Sequence, residues 1–171
     1  MALVAIPNIP PLVIPPPTGN PRVFLGERTG NGPYSWTGLS GDAAGLRGYE
    51  IVGRTDDAGA GGSIGLQFNA DVAANYGDLS GIAATSAHIH TNGGNQTVSS
   101  VINIPIANSG ARRVFTAWSP QADATPEIFR LGNGAFSWES IAAISRIDLI
   151  YWAGGPCTSA VWALYALMDV P

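Results

Sequence analysis

Tyr49-Glu50-Ile51-Val52-Gly53-Arg54-Thr55-Asp56-Asp57-Ala58-Gly59-Ala60-Gly61-Gly62-Ser63-Ile64-Gly65-Leu66-Gln67-Phe68-Asn69 is the stretch whose reading decides the fold. Two runs rich in β-branched and aromatic residues, Tyr49 to Thr55 and Ser63 to Asn69, flank a cluster of Asp and Gly that has loop chemistry. The spacing predicts an antiparallel hairpin closed by that loop. Similar runs recur on both sides of it. Before it come Arg22 to Leu25 and Tyr34 to Thr37; after it come Ala84 to His90, Thr97 to Ile104, Ala111 to Trp118, Glu127 to Leu131, Ile144 to Tyr151 and Ala160 to Met168. Turn sequences separate them, among them Thr29-Gly30-Asn31-Gly32-Pro33, Asn108-Ser109-Gly110 and Gly132-Asn133-Gly134. About eight to ten short strands with no strand–helix alternation predict an all-β chain, a jelly-roll-like β-sandwich. Two windows compete with that reading: Asp71 to Tyr76 has room for a helical turn, and Ser137 to Ser145 carries Trp138, Ile141 and Ile144 at helical spacing.

Composition narrows the function. The 171 residues suit one domain with a substantial core. There are 8 basic residues against 12 acidic, and every basic residue is arginine. A net charge of −4 without a basic run argues against nucleic acid and against anionic membrane surfaces, both of which are bound through clustered cations. The single Cys157 has no internal partner for a disulfide.

Residues 1–21 differ from all that follows. Seven of the 13 prolines fall there, no charged residue does, and Leu3, Val4, Ile6, Ile9, Leu12, Val13 and Ile14 supply apolar side chains between them. Prolines exclude a membrane-spanning helix, and the segment has neither the basic start nor the uninterrupted apolar run of a secretory signal. It reads as an extended arm preceding a β-sandwich domain at 22–171; in polyproline II geometry its reach is roughly 60 Å. The conformational entropy of ordering so long a segment nearly cancels what its apolar side chains return on burial, so the arm is expected to clasp a neighbouring subunit, the alternative being an arm that packs along its own domain or stays disordered. The last run, Ala160-Val161-Trp162-Ala163-Leu164-Tyr165-Ala166-Leu167-Met168, is apolar at every position, which predicts cover on both faces, the second from the chain's own loops or another subunit; with the arm, this makes a homo-oligomer the expectation.

Within the central stretch, a strand carrying Val52-Gly53-Arg54, a Gly/Ala-rich turn, a strand ending in Phe68-Asn69 and then Asn75-Tyr76-Gly77 resemble small jelly-roll virion proteins of tailed bacteriophages. The likeness spans roughly Gly41 to Gly77. It implies a non-enzymatic capsid decoration (cement) protein, sitting on the outer capsid surface as a homo-oligomer, with a trimer favoured, and bound to the major capsid protein. The arm residues Leu3 to Ile14 would then be the assembly contacts.

Residues with chemical potential support no enzyme. His88-Ile89-His90 places two imidazoles about 7 Å apart along a strand, but no third ligand is identifiable, and hydrogen-bonded or surface histidines are the simpler reading. Asp56, Asp57, Asp71 and Asp78 lack the spacing of a calcium loop. Gly59-Ala60-Gly61-Gly62-Ser63-Ile64 begins like a dinucleotide fingerprint, yet the sixth position is Ile64 and no helix follows. A phosphate-binding Walker loop requires a lysine, and a serine elbow requires G-x-S-x-G; neither occurs. No cofactor is implied. Among aromatic residues, Trp36 beside Tyr34 lies between Gly32-Pro33 and Gly38, a turn-like context that predicts exposure. The pair is the candidate glycan contact of the competing reading, a carbohydrate-binding module on a tail or fibre.

Overall fold

The computed structural model describes residues 21–56, 63–78, 84–91, 97–105, 107–110, 112–122, 129–153 and 159–169. The arm residues Leu3, Val4, Ile6, Ile9, Leu12, Val13 and Ile14 lie outside them, as do Asp57, the glycine cluster 59–62 and Cys157. Among the described residues there are eleven strands: β1 (Arg22–Thr29), β2 (Tyr34–Thr37), β3 (Leu46–Asp56), β4 (Ser63–Phe68), β5 (Tyr76–Asp78), β6 (Ala87–Thr91), β7 (Thr97–Ile104), β8 (Arg113–Ala122), β9 (Phe129–Trp138), β10 (Arg146–Ala153) and β11 (Ser159–Met168). No helix occurs among the described residues, so none there crosses a membrane as a helix.

The strands form two antiparallel sheets. Seven lie in the order β1-β11-β3-β7-β8-β9-β5 and four in the order β2-β10-β4-β6. From β1 to β7 the chain changes sheet at every connection. The hairpin expected between Tyr49–Thr55 and Ser63–Asn69 is therefore overturned: β3 and β4 belong to different sheets. β3 pairs instead with β11, matching Ile51 with Leu164, and on its other edge with β7, matching Ile51 with Ile102. β4 lies between β10 and β6. Local turn chemistry announced a reversal of direction, and the long-range pairing decided which strand receives it.

Alternation on facing strands builds one apolar core between the sheets. Ile51, Ile102, Trp162 and Leu164 from the larger sheet meet Ile64, Leu66, Phe68 and Ile147 from the smaller, all buried. An aromatic cluster closes one end. Phe68 stands edge-on to Phe115 at 5.3 Å and lies 5.0 Å from Trp138, and Trp138 stacks with Tyr76 at 6.4 Å. Glycines appear where the core leaves no room: a Cβ on Gly53 would collide with the Trp162 ring, and one on Gly134 with the Phe136 ring. Gly134 thus sits inside β9, and the expected turn at Gly132-Asn133-Gly134 is a stretch of strand.

Neither helical window is helical. Ser137 and Trp138 finish β9, and the chain continues without regular structure to β10, leaving Ile141 exposed while Trp138 and Ile144 are buried. At the other window Asp71 organises a turn, its carboxylate accepting from the Ala73 N–H at 3.0 Å, the Asn75 amide at 2.9 Å and the Trp138 indole at 2.8 Å. Burial raises the pKa of that carboxyl; the hydrogen bonds from Asn75, Trp138 and Ala73 lower it by more, so it stays ionised below the usual carboxylate value.

Candidate interaction surface

The two sheets have outer faces of opposite character. On the smaller sheet, β2 and β10 align Ser35 with Asp148, and β10 and β4 align Asp148 with Gln67. Ser35 donates its hydroxyl to Asp148 at 2.5 Å, Arg146 Nε donates to both Asp148 oxygens at 2.8 Å, and Gln67 donates to the Thr85 carbonyl at 2.8 Å. These polar groups are satisfied within the chain.

One row on the outer face of the larger sheet is apolar across four strands, between rows that carry Arg54 and Ser99 on one side and Glu50 and Asn103 on the other. Pairing of β11 with β3, β3 with β7 and β7 with β8 lines up Ala163, Val52, Val101 and Trp118 in one row. The next row begins with Val161 and Arg54, and the row on the other side with Tyr165 and Glu50. Phe24 on β1 packs against Tyr165 with ring centroids 5.7 Å apart. Trp118 is 49% exposed, Val161 47%, and Val114 on the same face of β8 60%. Between Val52, Val101, Trp118 and Val161 lies a shallow recess of about 370 Å³. Beside this band, Glu50 is buried under Arg22, whose guanidinium reaches one carboxylate oxygen at 3.0 Å. The other oxygen, Oε1, is buried and has no hydrogen-bond partner among the described residues. A buried, half-satisfied carboxylate is costly, and a docked surface carrying an N–H or O–H donor would relieve it.

The terminal strand follows its alternation. Ala160, Trp162, Leu164 and Ala166 are buried in the core, while Val161, Ala163, Tyr165 and Leu167 face outward and are half-buried or exposed. One face of β11 thus has its cover inside the chain, and the described residues do not cover the other fully.

Tyr34 and Trp36, read as exposed, are buried at 3% and 2%. Their pairing with Leu149 and Ile147 turns both into the core, with Ser35 and Thr37 pointing out. The Tyr34 hydroxyl donates to the Gly30 carbonyl at 2.6 Å and the Trp36 indole to the Gly26 carbonyl at 3.3 Å. A glycan contact through this pair has no access. Among the described side chains the exposed indole is Trp118, whose signal was parity: in β8, Phe115 and Ala117 are core residues, so Val114, Thr116 and Trp118 must face out.

Of the histidine pair, His88 is half-buried, while the His90 side chain lies outside what is described. A register shift in β6 separates their pairings with Ile64 and Gly65. Among the described residues no three His, Cys, Asp or Glu side chains converge on a metal site, and Asp71 is engaged as above.

Sequence reading also passed over Arg113, whose side chain is fully buried. Its guanidinium donates to the carbonyls of Ser140 at 2.8 Å and Asn108 at 2.5 Å and to that of Ala142, and it stands 4.8 Å from the Trp138 ring centroid. Burial lowers its pKa, and the nearby Asp42 opposes the shift. Arg113 ties the loops before β8 and after β9 together, a structural task. No family model matches the chain, and neither curated proteins nor solved structures provide a match.

Proposed function

We propose that the chain is a non-enzymatic structural protein of a bacteriophage virion: a jelly-roll decoration subunit that self-associates on the outer capsid surface, binds the major capsid protein and stabilises the shell, with its N-terminal arm contributing contacts between subunits. The virion assignment rests on the resemblance carried by Val52-Gly53-Arg54, Phe68-Asn69 and Asn75-Tyr76-Gly77. The jelly-roll assignment is supported by strand order. With β5 and the β8–β9 hairpin set aside as additions, the rest order as β1-β11-β3-β7 facing β2-β10-β4-β6, the interleaving that two nested Greek keys produce.

The observation that carries self-association is the apolar band formed by Val52, Val101, Trp118 and Val161 on the larger sheet, which the described residues cover only in part. Contiguous apolar surface of this kind marks an interface. The opposite sheet, polar and internally satisfied, suits solvent. A decoration role acts mechanically: area buried across the seams between capsid subunits is lost on rupture, so bound subunits raise the barrier to it. The test compares particles with and without the protein during heating, with genome release as readout. Stripped particles are expected to release their genome at lower temperature and to recover on adding the protein back; failure of the protein to associate with particles refutes the reading.

One observation favours a second reading. The half-exposed Trp118 indole bordering a shallow recess that Arg54 and Ser99 also line offers the apolar platform and polar rim that a sugar ring requires. Under that reading the surface binds a host glycan. Saturable quenching of tryptophan fluorescence by a glycan, abolished by Trp118→Ala, would establish it over self-association.

A further inference from the structure

A second apolar feature lies at the edge of the larger sheet. Between β1 and the segment that joins β2 to β3 runs a groove of about 280 Å³, lined chiefly by Val23, Leu25, Leu39, Leu46, Ala166 and Met168. Val23 lies on the core side of β1, paired with the buried Ala166. Even so, Val23 is 47% and Leu25 42% exposed. The reason is geometric: β2 spans only Tyr34–Thr37, so the smaller sheet stops short and β1 projects past it. Among the described residues no Asp, Glu, His or Arg side chain lines the groove; its one ionisable group is the buried phenol of Tyr49. An apolar cavity of about 150 Å³ accepts a benzene-sized group. This groove has room for about two such groups, hence for two branched aliphatic side chains.

The chain itself supplies a matching segment. Residues 1–20, outside the described part, contain no charge and carry seven branched aliphatic residues, ending in Leu12-Val13-Ile14. They join the domain at the mouth of the groove: the Pro21 carbonyl accepts from the N–H of Met168, a lining residue, at 3.1 Å. We infer that the groove is the receptor for Leu12-Val13-Ile14 of a second copy of this chain, so that neighbouring subunits are joined by exchanged arms.

Exchange follows from the three residues after Ile14. Pro15, Pro16 and Pro17 have no N–H and favour extended geometry at about 3.1 Å per residue. An arm folded back onto its own groove would have to reverse ahead of Pro21 and would bring the three prolines toward the edge of β1 that pairs with no other described strand. That edge carries backbone carbonyls, and prolines have no N–H to donate to them. Leaving outward keeps the edge in water and carries the aliphatic triplet to a neighbour. Specificity comes from the absence of charge on both sides; a charged segment would lose its hydration in the groove without finding a partner there.

The inference rests on the self-association part of the proposed function, and its test separates the two. Full-length protein bearing a photo-crosslinking residue at Val13 is mixed with an equal amount of isotopically heavy full-length protein, equilibrated and irradiated. Mass spectrometry should find light–heavy crosslinks that map to Val23–Leu25 and to the stretch from Leu39 to Leu46. Leu25→Arg in the heavy chain places a cation in the groove at a partly exposed position, and should reduce those crosslinks about tenfold or more with the melting temperature nearly unchanged. If crosslinks are confined to single chains, or join chains at other sites, exchange into the groove is wrong. If that happens while the protein still sediments as an oligomer, self-association stands without it. A single-chain mass at all concentrations overturns both.

Discussion

Replacing Trp118 by glutamate tests the outer face of the larger sheet directly. A tryptophan side chain offers about 150–250 Å² for burial. Trp118 is 49% exposed, so association would cover about 100 Å² more of it. At about 25 cal/mol/Å² that is about 2.5 kcal/mol, which is about 60-fold in the dissociation constant. The glutamate adds its own desolvation cost to any contact that persists, so about 60-fold is a lower limit. Folding should be nearly untouched, since the neighbours that fill the core from this strand are Phe115 and Ala117 and they remain in place; a change within about 1 kcal/mol is expected from urea unfolding. Val72→Glu is the matched control, because Val72 is 70% exposed on the loop between β4 and β5, away from the apolar band. Sedimentation equilibrium over a concentration series should show Trp118→Glu dissociating far above the concentration at which wild type and Val72→Glu do. Equal dissociation constants for all three would refute the assignment of this face to self-association.

Two further predictions concern the fold. Arg113→Met removes the donors that hold the carbonyls of Asn108, Ser140 and Ala142 and should cost about 3–5 kcal/mol in urea unfolding; Arg113→Lys should recover little, because a single ammonium cannot span the same carbonyls. Alkaline stability should depend on the buried phenols. Burial pushes Tyr49 up to about 12 and raises Tyr76 as well, whereas both ionise near pH 10 when unfolded. With the folded value raised, their contribution is complete below about pH 10 and is lost as pH rises toward the folded value. Melting temperature should therefore fall between about pH 10 and 12, and Tyr49→Phe should flatten that slope.

What the sequence disclosed was local, and what it concealed was long-range. Thr97 to Ile104 coincides with β7 and Tyr34 to Thr37 with β2, because turn residues bracket both runs and the side chains within them are suited to a pleated surface. Partner choice carries no local mark. Tyr49 to Thr55 reads as half of a hairpin with the run after it, yet it lies between β11 and β7, where Ile51 finds Leu164 and Ile102. Glycine and proline misled in two places for one reason: they mark close approach as well as turns. Gly134 is in a strand because Phe136 occupies the space of its side chain, and Trp36, framed by Gly32-Pro33 and Gly38, is a core residue. The better guide at Trp36 was the alternation of Tyr34 and Trp36 with Ser35 and Thr37, which places both aromatic rings on one face. The same parity makes Trp118 the outward indole and Arg113 an inward cation, the latter tolerable only because backbone carbonyls surround it.

The two proposed contact surfaces share a strand, and this gives the assembly a physical logic. β1 is the edge of the larger sheet, with Val23 and Leu25 lining the groove on one side and Phe24 packed on Tyr165 at the border of the apolar band on the other. Among the described residues its only strand partner is β11, with a register shift between Phe24 and Gly26, so its position is less constrained than that of the interior strands. In the proposed assembly, an arm seated against Val23 and Leu25 fixes β1 from the core side, and that holds Phe24 and Arg22 in place over Tyr165 and Glu50. Arm exchange and face-to-face contact then reinforce each other, because conformational freedom removed by one contact need not be removed again by the other. Double substitution of Leu25→Arg with Trp118→Glu should accordingly weaken association by less than the product of the single effects, since each single change already forfeits that shared ordering.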